Sequence, residues 1–301
     1  MLIIFPSEPC VSSAVDGMYE PEAEAARKAG FDIGLVDHET LVADQNAQKA
    51  VSANPDFSSP KKAVYRGWMV SVEEYAALHE ALREKNIHLL ASPSAYELCH
   101  HLPASFHLIE GHSPKSAWFP CQSVPSFEDI KDLLLSFGNS PIVIKDYVKS
   151  QKHYWEEACF IPNASEKRAV EKVVKRFCEL QGADLAGGLV FRQFEEYQSM
   201  GTHSLSGMPL SIEYRLFVLN GRPLLSCPYW EEGAYEGQAP ELSVFEDLLS
   251  RIESPFFTAD FALRKDGEWR IVELGDGQVA GLPESCSAAD FYLALSHFLL
   301  E

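Results

Sequence analysis

An α/β domain followed by α+β lobes is the fold class this sequence predicts, and three observations carry it. Alternating strand and helix patterns run through the first third of the chain, which argues a small parallel sheet ending near residue 105. Asn-Gly at 220–221 and Asp-Gly at 266–267 each sit between apolar-rich runs and mark hairpins in the last third. A chain of 301 residues with 46% hydrophobic content can fill two or three lobes rather than one.

The elements follow in order. LIIF (2–5) reads as a strand, and PEAEAARKAG (21–30) as a helix with Pro21 near its start and Gly30 as its stop. FDIGLVD (31–37) is the next strand. QNAQKAVSANPDFSSPKK (45–62) has no clear period and is expected to be an exposed loop. AVYRGW is a strand, and the following helix opens on a capping box, Ser71 with Glu74. IHLLASP closes the first region. Beyond it, Ser126 caps a helix, PIVIKDYV (141–148) and YWEEACFIP (154–162) read as strands, and SEKRAVEKVVKRFCELQG (165–182) is a long amphipathic helix. GGLVFRQFEEY is a strand, and Gln198–Pro209 is expected to be a mobile loop that closes over a ligand. Two hairpins (210–226 and 257–276), a helix between them and a closing helix complete the chain.

Composition excludes several function classes. The formal charge of −19 argues against nucleic-acid and anionic-membrane partners. No apolar run approaches the roughly 18 residues of a membrane span, and the N-terminus reads as a strand rather than a signal peptide. Seven cysteines without a C-x-x-C pair predict reduced thiols and a cytoplasmic protein. Cys99, His100, His101, His107 and His112 lie close in sequence, but no pair has zinc-finger spacing.

The residues that could carry chemistry come from strands. A two-residue loop at Asp266-Gly267 sets Lys265 opposite Glu268 and, counting outward, Asp260 opposite Glu273. Like charges so paired destabilise a sheet. A magnesium ion shared between them would remove that penalty, and Glu273→Gln would then leave ligand-free stability level or slightly raised. A solvated sheet face, or a bulge that shifts the register, is the other reading. The same counting around Asn220-Gly221 puts Arg215 opposite Ser226, on one face with Glu213. Alternation puts Val143, Lys145, Tyr147 and Lys149 on one face, and KDYVKSQK (145–152) holds three cations in eight residues. Arg192 ends another strand. Such cations supply donors to phosphates, Arg in bidentate fashion.

The order of these elements resembles the ATP-grasp superfamily: a strand lysine, an FRQFEEY strand, an E-x-R strand, an aspartate strand, then IVELGDG. VIKDYVKS, EYRLFVLNG and VELGDGQVAGLP are most similar to the bacterial and phage-associated clade named for an arginine and two lysines. The resemblance implies a pre-grasp α/β domain at 1–105, an N-lobe at 106–205 and a C-lobe carrying a magnesium site at 206–301. It implies ATP and Mg2+, with Lys145 on the α/β-phosphates and Arg215 on the γ-phosphate. Gln193, Phe194, Glu195, Glu196 and Tyr197 would form the hinge beside adenine, and Lys149, Arg192 and Glu213 would join the nucleotide site. Asp260 and Glu273 would be metal ligands. The superfamily's E-x-N is here Glu273-x-Gly275, so Asp276 is a candidate third ligand through a bulge. Lys115 is the candidate for the family's earlier lysine.

The implied activity is a carboxylate–amine ligase working through an acyl phosphate. A phosphotransferase, or a nucleotide-binding relative without catalysis, is the alternative. Small-molecule or peptide carboxylates and amines would be the substrates. Arg66, at a strand end, is a candidate for a substrate carboxylate, with a structural salt bridge as the equal alternative. Tyr229 and Trp230 could stack on an acceptor, with Glu231 and Glu232 holding an amine. Aromatic anchoring of a surface loop is the equal alternative there.

Overall fold

Three sheets organise the chain, described here from a computed structural model for all residues except 10, 203–208, 232–233, 236 and 300–301. The first contains β1 (Leu2–Glu8), β2 (Val11–Val15), β3 (Asp32–Val36), β4 (Lys61–Tyr65) and β5 (Ile87–Leu89). β3, β1, β4 and β5 run parallel, and β2 folds back antiparallel on the end of β1. Ile3, Ile4 and Phe5 are fully buried, as strands covered on both faces require. Between these strands lie α1 (Glu20–Lys28), α2 (His38–Val42), α3 (Ala47–Ala50) and α4 (Val72–Glu84). The Ser71–Glu74 capping box forms in both directions, at 3.1 and 2.7 Å. α5 (Pro93–His100) and α6 (Leu102–Ile109) lead out of this layer.

The second sheet has the order β6 (Ser116–Pro120), β9 (Gly188–Gln193), β7 (Ile142–Asp146), β8 (Phe160–Ile161), all antiparallel. α7 (Phe127–Leu134) and α8 (Lys167–Gln181) cover one face through Ile130, Leu134, Val170, Val174 and Phe177. The other face holds Val143, Lys145 and Arg192. The third sheet has the order β13 (Arg222–Pro228), β12 (Glu213–Leu219), β14 (Phe256–Leu263), β15 (Trp269–Asp276). Leu216, Val218, Ala259 and Phe261 pack on α5, α6 and the segment of α9 (Glu246–Ser250). On the opposite face, Phe217, Leu219 and Phe256 pack against α10 (Ala288–Leu299) and the first sheet. Among the described residues, no helix is long and apolar enough to cross a membrane.

Four expectations change. The segment 45–62 is not simply exposed: Asn46 caps α3, and Ala47, Ala50 and Val51 enter the core. One helical turn is too short to show a period in sequence. Residues 154–162 form a π-helical turn (Trp155–Cys159) before the two-residue β8. That turn stacks Trp155 on Phe160 at 5.7 Å, whereas a strand would send residues five apart to opposite faces. The ends of the expected mobile loop form a ladder, β10 (Ser199–Thr202) with β11 (Pro209–Ser211), while its centre, 203–208, lies outside the described residues. Finally, Cys227 and Cys286 are joined as a disulfide rather than remaining thiols. The fold brings them together from 59 residues apart, a pairing that local spacing does not encode.

Candidate active site

One row of side chains crosses the third sheet. Arg215 on β12 faces Asp260 on β14, which faces Glu273 on β15. Directly paired residues share a sheet face, so all three look the same way. Two irregularities set this register. The turn after β14 leaves Leu263 opposite Trp269, one place off the count for a two-residue loop, and a bulge at Val272 restores it. In the β12–β13 hairpin the count holds at Leu219–Arg222, but a bulge at Leu224 shifts Arg215 from Ser226 to Cys227. The predicted Ser226 partner is therefore corrected by one residue.

Cations resolve the repulsion between the two carboxylates. Arg215 donates to both oxygens of Asp260, Nε at 2.9 Å and Nη2 at 2.7 Å. Lys145 reaches over from the second sheet and donates to Glu273 Oε2 at 2.6 Å. Burial alone would raise the Glu273 carboxyl, but Lys145, with Arg192 and Arg215 beyond it, holds it down at about 2. The Arg215 guanidinium is pushed up, burial being outweighed by Asp260. Each carboxylate thus has its own counter-charge, yet burial, with Glu273 beside it, still pushes the Asp260 carboxyl up against the pull of Arg215, so the expected charge liability is reduced and not removed.

Asp260 and Glu273 of this row, with Lys145, line a cleft of about 400 Å3 between the second and third sheets. Val143, Ile144, Trp155, Phe194 and Leu210 give it apolar walls. Arg192 is 5% exposed and lines it, its guanidinium donating to Ser113 and Ser116 hydroxyls at 2.9 and 3.2 Å. Burial disfavours its charge. Gln193–Tyr197 bridges the two sheets: Gln193 N donates to Lys115 O, Phe194 N to Pro141 O, and Glu196 O accepts from Lys265 N. Glu195 is bound to Arg270 at 3.2 Å, and the exposed Glu196 to Lys265 at 3.1 Å. Tyr197 pairs with Arg264. Glu213 lines the cleft beside Ser211, and burial pushes its carboxyl up to about 7.

Below the same row lies a second cavity of about 60 Å3, which shares Lys145, Asp260 and Glu273 with the cleft and adds Arg215, His100 and Asp276. Asp276 is 1% exposed; its Oδ1 accepts from Gln278 N and Nε2 at 3.0 and 3.1 Å. Oδ2 has no partner among the described residues, and burial pushes the carboxyl up to about 7. Gly275 pairs with Thr258, and a β-carbon there would come within 2.7 Å of Thr258 Oγ1. A side chain at this position needs Thr258 to move, so the missing asparagine belongs to the packing. His100 stacks on Tyr96 at 4.7 Å, and burial, with His101, Lys149 and Lys145, pushes it down to about 3.

Several sequence-predicted residues sit elsewhere. Arg66 is 1% exposed and does not face open space. Its guanidinium binds Glu22 and the carbonyls of Gly277 (2.6 Å) and Ala280 (2.8 Å), over the Phe291 ring. It is a clasp between β4 and the segment after β15, so the reading as a substrate-binding arginine is withdrawn. Lys149 is exposed and does not line the cleft, and the Lys115 ammonium turns onto Ser136 O and the Phe137 ring. Tyr229 and Trp230 do line the cleft; Glu232 lies outside the described residues. Lys152, part of the cationic stretch but not singled out, lines it as well, 4.8 Å from the Trp230 ring.

A family model of the ATP-grasp domain, that of family 3 in the clade named for an arginine and two lysines, matches residues 136–295, more than half of the chain. The chain belongs to this ATP-grasp family. No curated protein matches it in sequence. Among solved structures it is similar to the D-cycloserine synthetase DcsG, with a TM-score of 0.61 and 14% identity over 99% of this chain and 100% of that one. D-alanyl-alanine synthetase A from Vibrio cholerae O1 biovar eltor gives 0.60 and 12%, over 100% and 96%. The ATP-grasp ligase PsnB, complexed with minimal precursor, Mg and ADP, gives 0.55 and 11%, over 99% and 97%. At these identities the likeness shows the ATP-grasp fold.

A magnesium ion fits this ATP-grasp site by its donor chemistry. Asp260 and Glu273 offer hard carboxylate oxygens side by side on the cleft, of which Lys145 engages Glu273 Oε2 and Arg215 engages both on Asp260. No group of three or more His, Cys, Asp or Glu is placed to hold a metal among the described residues. Two such carboxylates would need phosphate and water oxygens to complete a magnesium shell.

Proposed function

We infer that this ATP-grasp protein is an ATP- and magnesium-dependent carboxylate–amine ligase that works through an acyl phosphate. The observation that carries this is the row Arg215–Asp260–Glu273 with Lys145 against its end, where an apolar cleft and a small cavity share Lys145, Asp260 and Glu273. Adenine would stack among Trp155, Phe194 and Val143, near the hinge 193–197. Magnesium, when bound, neutralises phosphate charge, and Asp260 and Glu273 are the residues that would hold it.

Lys145 and Arg215 would exchange their carboxylate partners for phosphate oxygens. An anion of higher charge makes stronger charge-assisted bonds. A substrate carboxylate oxygen entering from the Arg215 side attacks the γ-phosphorus, and the bond to the bridging oxygen breaks with its electron pair leaving on ADP. Arg215 and Lys145 offset the charge on the transferred group. An amine nitrogen then attacks the acyl carbon, the carbon–oxygen bond to phosphate breaks, and phosphate departs. Of the ammonium's two lost protons, one passes to a base or solvent and one to the leaving phosphate.

The experiment is ADP and phosphate release with magnesium, using panels of amino acids, peptides and polyamines, with product mass determined. Release that requires both a carboxylate and an amine, with a product lighter by one water than their sum, supports the ligase. A stable phosphorylated product without amine dependence makes it a phosphotransferase. Nucleotide binding without turnover makes it a non-catalytic relative.

A further inference from the structure

Lys152 belongs to the loop after β7, on the second-sheet wall of the cleft, yet its ammonium rests on the opposite wall. Nζ stands 4.8 Å from the Trp230 ring centroid and 5.6 Å from that of Tyr229. The Glu213 carboxyl, buried beside them, acts on it through space. Two aromatic rings that already hold an ammonium form an aromatic seat for a cation.

The seat is held by the third sheet's own bonds and not by the lysine. Tyr229 N donates to Glu213 O at 2.9 Å, and Trp230 N donates to the Tyr235 hydroxyl at 2.9 Å. The two rings meet edge to face at 4.8 Å and 68°. Arg215 stands 4.9 Å from the same Tyr229 ring, so the seat adjoins the reacting end of the site. Lys152 also shares the cleft with Lys145 and Arg192. A polyphosphate there offers it a charge-assisted partner stronger than two rings. The lysine then turns away and the seat opens.

We propose that Trp230 and Tyr229 form the subsite for the acceptor amine, a primary alkylammonium, and that Lys152 fills it until nucleotide arrives. The role as acceptor site rests on the ligase reading; the binding does not. Nucleotide therefore precedes amine.

Indole signals of Trp-labelled protein, with Trp230 assigned through Trp230→Phe, read the seat directly by NMR. The probe is n-butylammonium chloride, with 1-butanol as its neutral counterpart. The amine should shift the Trp230 signal saturably in Lys152→Met, binding at least about fivefold tighter than to the nucleotide-free wild type. Lys152→Gln should match Lys152→Met, and Lys152→Arg should match the wild type. Magnesium with a non-hydrolysable ATP analogue should bring the wild type to the affinity of Lys152→Met. Equal affinity in wild type and both neutral variants, or equal shifts by amine and alcohol, overturns the proposal. Phosphate release is read on the same samples. Amine binding without amine-dependent release removes the ligase reading and leaves the subsite; amine-dependent release with a silent Trp230 does the reverse.

Discussion

Arg215 and Asp260 face each other across β12 and β14 and are joined by two hydrogen bonds, 2.9 and 2.7 Å long. Both side chains are largely buried, at 14% and 7% exposure. Breaking such a pair from one side leaves an uncompensated charge. Asp260→Asn should therefore cost about 3 kcal/mol of ligand-free stability. Glu273 is 34% exposed, so solvent screens part of the loss, and Glu273→Gln should cost about 1–2 kcal/mol. Urea unfolding without nucleotide measures both. Unchanged or raised stability would return the two carboxylates to mutual repulsion.

Asp276 gives a pH signature. Its folded carboxyl titrates at about 7 because of burial, above the ordinary value of 3.8. The native state keeps a proton that the unfolded state gives up, so this contribution is whole below about pH 4 and lost as pH rises through 7. Asparagine stays neutral throughout. The stability advantage of Asp276→Asn over wild type should grow from pH 4 to 7, by no more than about 1.4 kcal/mol per unit, then level off. A pH-independent difference contradicts it. An altered magnesium requirement in the same variant would make Asp276 a third ligand.

Arg66 should matter for folding and not for substrate. Arg66→Met strands Glu22 and frees two buried carbonyls, and should cost about 3–5 kcal/mol. KM for the carboxylate substrate, measured on the folded fraction, should stay within about twofold, well under the tenfold that 1.4 kcal/mol would give. A large rise in KM with stability intact would restore its role as a substrate ligand.

The disulfide ties β13, directly behind Arg215, to the loop that enters α10. Gly281 O, in that loop, accepts from Arg215 at 3.0 Å. Cys286→Ser should lower stability by about 2–4 kcal/mol. Equal unfolding midpoints of this variant and the oxidised wild type would contradict the prediction.

Sequence counting placed Asp260 opposite Glu273, yet two offsets cancel to give that register: the turn after Leu263 and the bulge at Val272. At Arg215 only one offset occurs, at Leu224, and the count misses by one. Bulges depend on how the sheet twists against its neighbours, so counting from a turn is safest beside the turn. The face shared by Val143 and Lys145 follows from alternation alone. Which carboxylate Lys145 meets does not, because that depends on the docking of two sheets that brings together residues 128 apart in sequence. At Arg66 the salt bridge, and not the substrate contact, holds for a similar reason: a strand-end arginine is a ligand only if the following segment leaves it open. The family resemblance singled out Lys145, Arg215, Asp260 and Glu273, and long-range packing decided their partners.

Binding of magnesium–ATP to wild type and Lys145→Ala, by calorimetry at fixed ionic strength, is the most direct test of the nucleotide site. The variant removes a phosphate donor and also leaves Glu273 unneutralised beside the phosphates. Affinity should fall by about 10- to 100-fold, the equivalent of one charge-assisted bond. An unchanged affinity in a folded Lys145→Ala protein would mean that nucleotide does not bind on this row.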